Sequence, residues 1–122
     1  MIKAVRGAVQ IPNDNKNAII QGVQKLVLGV IDKNQIKEAD IVSLQFTITN
    51  DLTSLNPAAA LRGAGFSEIP LFCSQEPISD NALARTIRIL LTCYHEGATR
   101  LIPLYMDGAE VLRPDLSQRE NI

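Results

Sequence analysis

The sequence predicts an α/β (α+β) domain: a mixed sheet, one long helix and several short ones. Three observations carry this. First, Ile41 to Thr49 alternates, with Val42, Leu44, Phe46 and Ile48 set against Ser43, Gln45, Thr47 and Thr49; this is the period-two pattern of a strand with one buried face. Second, Lys16 to Lys33 places Ile19, Val23, Leu26, Val27 and Val30 at i, i+4, i+7, i+8 and i+11, the apolar stripe of an amphipathic helix. Third, the other apolar runs are short and punctuated by Pro, Gly, Asn and Asp, so the order reads β-α-β-α-β-β-β. One long helix covers only one face of a sheet. The Ser/Gln/Thr face of Ile41–Thr49 is therefore expected to meet another copy of the chain.

Taken in order, Ile2 to Val9 alternates loosely and reads as a first strand, carrying Arg6 followed by the small residues Gly7 and Ala8. Small residues there let a neighbour approach the backbone. Pro12-Asn13-Asp14-Asn15 is a turn that supplies N-caps for the long helix, and Asn34 is expected to close it. Gly22 and Gly29 weaken that helix by roughly 1 kcal/mol each relative to alanine. Asn50-Asp51 ends the second strand. Asn56 as N-cap, Pro57 as first helical residue and Gly63 as C-cap bracket a helix of one or two turns with Arg62 in its last turn, where the dipole favours a cation. Ile69 to Cys73 is a short strand begun by Pro70. Arg85 to Tyr94 is the next, with Thr86, Arg88, Leu90, Thr92 and Tyr94 on one face and Ile87, Ile89, Leu91 and Cys93 on the other. His95-Glu96-Gly97 is a turn. Leu101 to Met106 is a strand held to an edge by Pro103. Asp107 is expected to cap a short helix, Gly108 to Leu112, that Arg113-Pro114 stops. The 122 residues predict a single domain over 1–116 and a polar, mobile tail over 117–122.

Composition excludes several function classes. The formal net charge is −1 and the pI about 5.8, so no nucleic-acid or membrane partner is expected. Met1-Ile-Lys-Ala-Val-Arg6 lacks the apolar run of a signal peptide, and no segment reaches the length of a membrane span. Cys73 and Cys93 form no CxxC or zinc spacing, which fits reduced thiols in a cytoplasmic protein. The single His95 and the scattered carboxylates offer no metal site and no Ser/His/Asp triad. His95 itself is expected to be solvated. All five lysines lie at or before Lys37, whereas six of the seven arginines lie at Arg62 or later. Arginine is the better residue for bidentate contact with carboxylate or phosphate.

The chemistry concentrates in Ile69–Glu76 and Thr86–Arg88. A soft thiol (Cys73), a carboxylate (Glu76) and a permanent cation (Arg88) sit close together on neighbouring strand-like segments. Arg88 shares a face with Leu90 and the hydroxyls of Thr86 and Thr92; an arginine there either snorkels to solvent or binds an anion, and its charge is expected to be held from bulk water. No base stands ready to make Cys73 a nucleophile. The residues alone therefore describe an arginine-rich site for a small polar anion.

Val5-Arg-Gly-Ala8, Thr49-Asn-Asp-Leu52, Pro57-Ala58, Ile69-Pro70 with Cys73-x-x-Glu76, Ile87-Arg-Ile89 and Val111-Leu-Arg-Pro-Asp-Leu116 resemble, in order and spacing, the monofunctional chorismate mutases of the trimeric Bacillus type. The resemblance covers nearly the whole chain. It implies a homotrimeric pseudo-α/β-barrel with sheets inside, helices outside and active sites between adjacent subunits. It implies the Claisen rearrangement of chorismate to prephenate, a shikimate-pathway step towards phenylalanine and tyrosine, with no cofactor and no metal. Within that resemblance Arg88 faces the ether oxygen, and Glu76 accepts from the ring hydroxyl. Cys73 is a polar contact at that hydroxyl. Arg6 and Tyr105 bind the substrate carboxylates, while Arg62 and Arg113 lie at the mouth of the cleft. Asn56 stands where the family often has an aromatic residue, and Ala59 where a lysine can occur; both belong to the cleft edge. Two alternatives stand beside this reading. One is a trimeric binding protein or enamine/imine deaminase of the reactive-intermediate deaminase type. The other is a structural or regulatory trimer without activity.

Overall fold

β1 (Ile2–Gln10), β2 (Ile41–Ile48), β3 (Leu71–Gln75), β4 (Thr86–Tyr94) and β5 (Leu104–Met106) form one mixed sheet in the order β3-β2-β4-β1-β5. The computed structural model describes residues 1–97 and 99–117. The central strand β4 runs antiparallel to both β1 and β2, while the outer pairs β2/β3 and β1/β5 are parallel. Helix α1 (Lys16–Lys33) lies across one face, joined there by α2 (Pro57–Arg62).

The long helix forms as its periodicity requires. Asn15 accepts from the Ala18 amide at 2.8 Å, and Ile19, Val23, Leu26, Val27 and Val30 are all fully buried. They pack into a single core with Val5, Val9, Leu44, Phe46, Ile87, Ile89 and Leu91 from the sheet. Burial of such side chains contributes roughly 1.5–3 kcal/mol each. The glycines that weaken α1 and interrupt β1 serve packing instead. A Cβ on Gly29 would lie 2.7 Å from Leu104 Cδ2, and one on Gly7 would lie 3.1 Å from the Leu104 carbonyl oxygen. Together they leave the hollow in which β5 sits, and β5 carries Tyr105.

Asn34 does more than cap. Its side-chain amide donates to Val30 O at 3.0 Å and to Ile102 O at 2.9 Å, and its carbonyl accepts from the Ile102 amide at 2.6 Å. These bonds explain why the last strand begins at Leu104 and not at Leu101: Ile102 already has both backbone groups satisfied by the helix end, and Pro103 has no N–H. The expected start of β3 at Ile69 is corrected to Leu71 for a related reason. Pro70 cannot donate to a ladder and offers only its carbonyl, which accepts from Leu44 N at 3.0 Å.

Other expectations also change. Val42 does not share the buried face of β2. A bulge between Ile41 and Ser43 leaves it without a partner, and Ile41 takes the buried place. Arg85 stands outside β4 with a positive φ of 47°. Its amide is held by the Asp51 carboxylate at 3.0 and 3.1 Å, and the same carboxylate accepts from Thr49 Oγ1 at 2.6 Å. Asp51 therefore ties the end of β2 to the start of β4. Asp107 does not cap the next turn; its carboxylate pairs with Lys25 Nζ at 3.1 Å. Gly108 precedes a 3-10 turn, Ala109–Leu112, with φ 109°. That turn ends at Leu112, as Arg113-Pro114 was expected to make it, and Pro114 then opens a further short helix, α3 (Pro114–Ser117), where its missing N–H costs nothing. Of the expected tail, residues 118–122 lie outside the described residues.

His95 is likewise not simply solvated. Nε2 lies 3.1 Å from the Asn34 carbonyl oxygen, so it must carry the proton, and Nδ1 accepts from the Gly97 amide at 3.3 Å. The ring links the end of β4 to the end of α1.

Among the described residues no long helix covers the face opposite α1; only the 3-10 turn Ala109–Leu112 packs there, beside Ala8 and Tyr105. Along the strands this face presents Thr47 and Gln45 from β2, Arg88, Leu90 and Tyr94 from β4, Arg6 and Ala8 from β1, and Phe72 from β3. Phe72 is 67% and Tyr94 54% exposed on this face.

Candidate active site

Register on the open face gathers the charged groups. In β4, Arg88 stands between Ala8 of β1 and Thr47 of β2. Ala8 is small and fully buried, with Tyr105 and Ala109 packed beside it. Tyr105 reaches this face because β5 runs parallel to β1 with Tyr105 opposite Ala8. Arg6 is two residues back along β1, opposite Leu90. Glu76 is the first residue beyond β3. Its amide extends the β2/β3 ladder by donating to Ile48 O at 2.9 Å, so period two keeps its side chain on the face of Phe72 and Ser74.

The result is a cleft of about 280 Å³ lined by Arg6, Gly7, Gln45, Thr47, Glu76, Arg88, Ile89, Leu90, Tyr105 and Arg113. At its centre Arg88 Nε lies 3.3 Å from Glu76 Oε1, and the Thr47 hydroxyl donates to that same oxygen. The Glu76 side chain is 22% and that of Arg88 45% exposed, so within the single chain Arg88 reaches solvent and is not held from bulk water. Arg113 lies at the rim. It grips Asp115 through Nε at 3.2 Å and Nη2 at 3.0 Å, and this pairing, more than any other influence, pushes its pKa up. A larger hollow of about 550 Å³ lies beyond Arg6 and Arg113, lined also by Lys3 and Arg100. Its described lining includes no carboxylate and neither member of the Glu76–Arg88 pair, so the smaller cleft is the stronger candidate. Among the described residues no three His, Cys, Asp or Glu side chains come together as metal ligands, and no described helix is long and apolar enough to cross a membrane.

Of the residues singled out from sequence, five meet here: Arg6, Glu76, Arg88, Tyr105 and Arg113. Cys73 and Arg62 do not. Cys73 is opposite Phe46 in the β2/β3 register, which puts it on the helix side, packed against the core. Burial pushes its thiol pKa up from the ordinary value, which disfavours the thiolate that a nucleophile needs. Arg62 ends α2, exposed on that same side of the sheet. Sequence reasoning missed Gln45 and Thr47 as cleft residues, although it had identified their face. The signal was present in the alternation of β2. What was lacking was the register that sets Thr47 against Arg88.

The comparisons with known proteins agree with this geometry. The family profile for Chorismate mutase type I matches residues 2–116. The chain is 32% identical over 123 residues to Chorismate mutase AroH of Bacillus subtilis (strain 168), spanning 99% of this chain and 97% of that protein. It is 34% identical over 122 residues to Chorismate mutase AroH of Thermus thermophilus, spanning 98% of this chain and 100% of that protein. A solved chorismate mutase from Clostridium thermocellum superposes with a TM-score of 0.84 at 31% identity, covering 88% of this chain and 97% of that one. With the five-stranded sheet, its single long helix and the Glu76–Arg88 cleft on the open face, this match over nearly the whole length shows that the chain belongs to the chorismate mutase type I family.

Proposed function

We propose that the protein catalyses the rearrangement of chorismate to prephenate, in the cytoplasm and in the service of phenylalanine and tyrosine synthesis. The observation that carries this is the Glu76–Arg88 pair at 3.3 Å, set in a cleft that also holds Arg6, Tyr105 and Arg113. The reaction is unimolecular and pericyclic. It asks for a compact conformer of the substrate and for charges placed where charge develops, not for a nucleophile or a base. Arg6 and Tyr105 bind the substrate carboxylates and fold the side chain over the ring. Arg88 donates to the ether oxygen as the C–O bond breaks and negative charge gathers there. Glu76 accepts from the ring hydroxyl and lies near the complementary positive charge. Arg113 lies at the mouth of the cleft.

The direct test is to follow loss of chorismate absorbance and appearance of prephenate with the purified chain. Absence of turnover would overturn the reading. The family membership removes the ground for the deaminase alternative, and turnover in this assay would dispose of an inactive structural trimer.

The separation of Cys73 and Arg62 from the cleft supports the shared-site arrangement. In a homotrimer closed over the open sheet faces, a neighbouring copy would bring these two residues, with Asn56 and Ala59, to the cleft edge. The exposed Phe72 and Tyr94 would be covered in the same step. Sedimentation equilibrium at micromolar concentration should give three times the 13.3 kDa chain mass; a monomer would remove the shared cleft. Within that site Cys73 is a polar contact. Cys73→Ser should keep substantial activity, and mass spectrometry during turnover should find no adduct on the thiol. Complete loss of activity in the serine variant, with a covalent adduct in the parent, would contradict a non-covalent mechanism.

A further inference from the structure

We propose that Thr47 is a positioning residue for the rearrangement, acting through Glu76; this rests on the reaction proposed above. Thr47 stands beside Arg88 on one side and Ser74 on the other, and its hydroxyl donates to Glu76 Oε1. The Arg88 Nε contact, at 3.3 Å, falls on that same oxygen. Glu76 needs such a hold. It lies just past the end of β3, and the exposed segment Pro77–Ala82 follows it. A glutamate has three side-chain torsions to be fixed, whereas β-branched Thr47 is stiff about χ1. Two consecutive residues of β2 therefore fix the group, Ile48 through the Glu76 amide and Thr47 through the carboxylate.

The chemical consequence concerns which oxygen does what. With Oε1 engaged by Thr47 and Arg88, Oε2 is the oxygen left to accept from the ring hydroxyl. Without the Thr47 hydroxyl, the carboxylate is free to rotate and engage Arg88 with both oxygens, the geometry that arginine and carboxylate prefer. The guanidinium would then be turned from the ether oxygen, and the hydroxyl would lose its acceptor. Substrate anchoring by Arg6 and Tyr105 does not pass through Thr47, so the loss should fall on kcat and not on KM.

The test is steady-state kinetics on Thr47→Val, which keeps the shape and removes the hydroxyl, beside Thr47→Ser, which keeps the hydroxyl. The valine variant should lose about tenfold in kcat with KM within about twofold of the parent, as expected for one lost hydrogen bond to a charged group. Serine should restore most of the rate. In a Glu76→Gln background the valine change should cost little more, because its effect runs through the carboxylate. An unchanged kcat in Thr47→Val would overturn the proposal, and so would a valine loss that persists in full in the Glu76→Gln background, which would show that the hydroxyl does not act through the carboxylate. If the parent protein itself produced no prephenate, the underlying reaction would fail, and that failure is recognised without any variant.

Discussion

Arg88→Ala should lower kcat by about 10³ or more, with the assembly and the melting temperature little changed. Loss of one preorganised donor in sites of this kind typically costs roughly 10²–10³, and here the donor is also a full positive charge. Its placement is rigid. Arg88 is the third residue of β4, and that strand is paired on both sides, with Ala8 and Thr47 as its neighbours across the ladders. The fold should tolerate the change because the side chain is 45% exposed and lies on the face away from the core. In the lone chain that exposure would weaken an electrostatic contact, so the full effect requires water to be excluded from the cleft, as the proposed assembly would do. Lysine should rescue only in part, since it lacks the planar fork. A near-normal kcat in the alanine variant would mean that another cation faces the breaking bond, or that the reaction is a different one.

Phe46→Ala should have its effect on stability, costing about 3–5 kcal/mol. Phe46 neighbours Thr47 but points the other way. It is 1% exposed, lies opposite Ile89 of β4 and Cys73 of β3, and fills the core beneath α1. Total stabilities of about 5–15 kcal/mol are usual, so the variant should fold with a sharply lower denaturation midpoint. Urea unfolding at one fixed chain concentration measures this, since the proposed assembly would add to apparent stability. A cost under about 1 kcal/mol would mean that the core collapses around the gap. Phe46 and Thr47 thus separate the two demands on β2, one residue serving the fold and the next the chemistry.

Much of this was legible from periodicity. The stripe Ile19 to Val30 and the alternation of Leu44 to Thr47 required a helix on one face of a sheet, and both are found. The bulge at Val42 was not legible, because nothing local distinguishes Val42 from Leu44; the irregularity belongs to the pairing with β4. Strand starts slipped where a backbone group found a partner outside the sheet, as Ile102 does with Asn34. At the site, the arginines and Glu76 could be picked out by charge and resemblance, but their meeting depends on which strands are neighbours. Cys73 is the instructive case. It is three residues from Glu76, and on an extended strand an odd spacing puts two side chains on opposite faces. Their joint use at one hydroxyl within one chain was therefore already excluded by counting. Thr47 was read only as part of a surface for another copy, since a hydroxyl gives no sign of its charged partner until the register is known.

The sheet order carries a kinetic consequence. β1 finds its antiparallel partner some ninety residues along the chain, with Ile2 opposite Tyr94, and β5 then adds to the far side of β1. Closing loops of that length makes for slow folding. The cleft draws Arg6 from β1, Thr47 from β2, Arg88 from β4 and Tyr105 from β5, so no nascent portion of the chain carries it. Chains released before β5 joins would have neither a formed cleft nor a completed sheet, and recovery of turnover after dilution from denaturant should lag the first collapse, since it waits for β5 and for the proposed assembly.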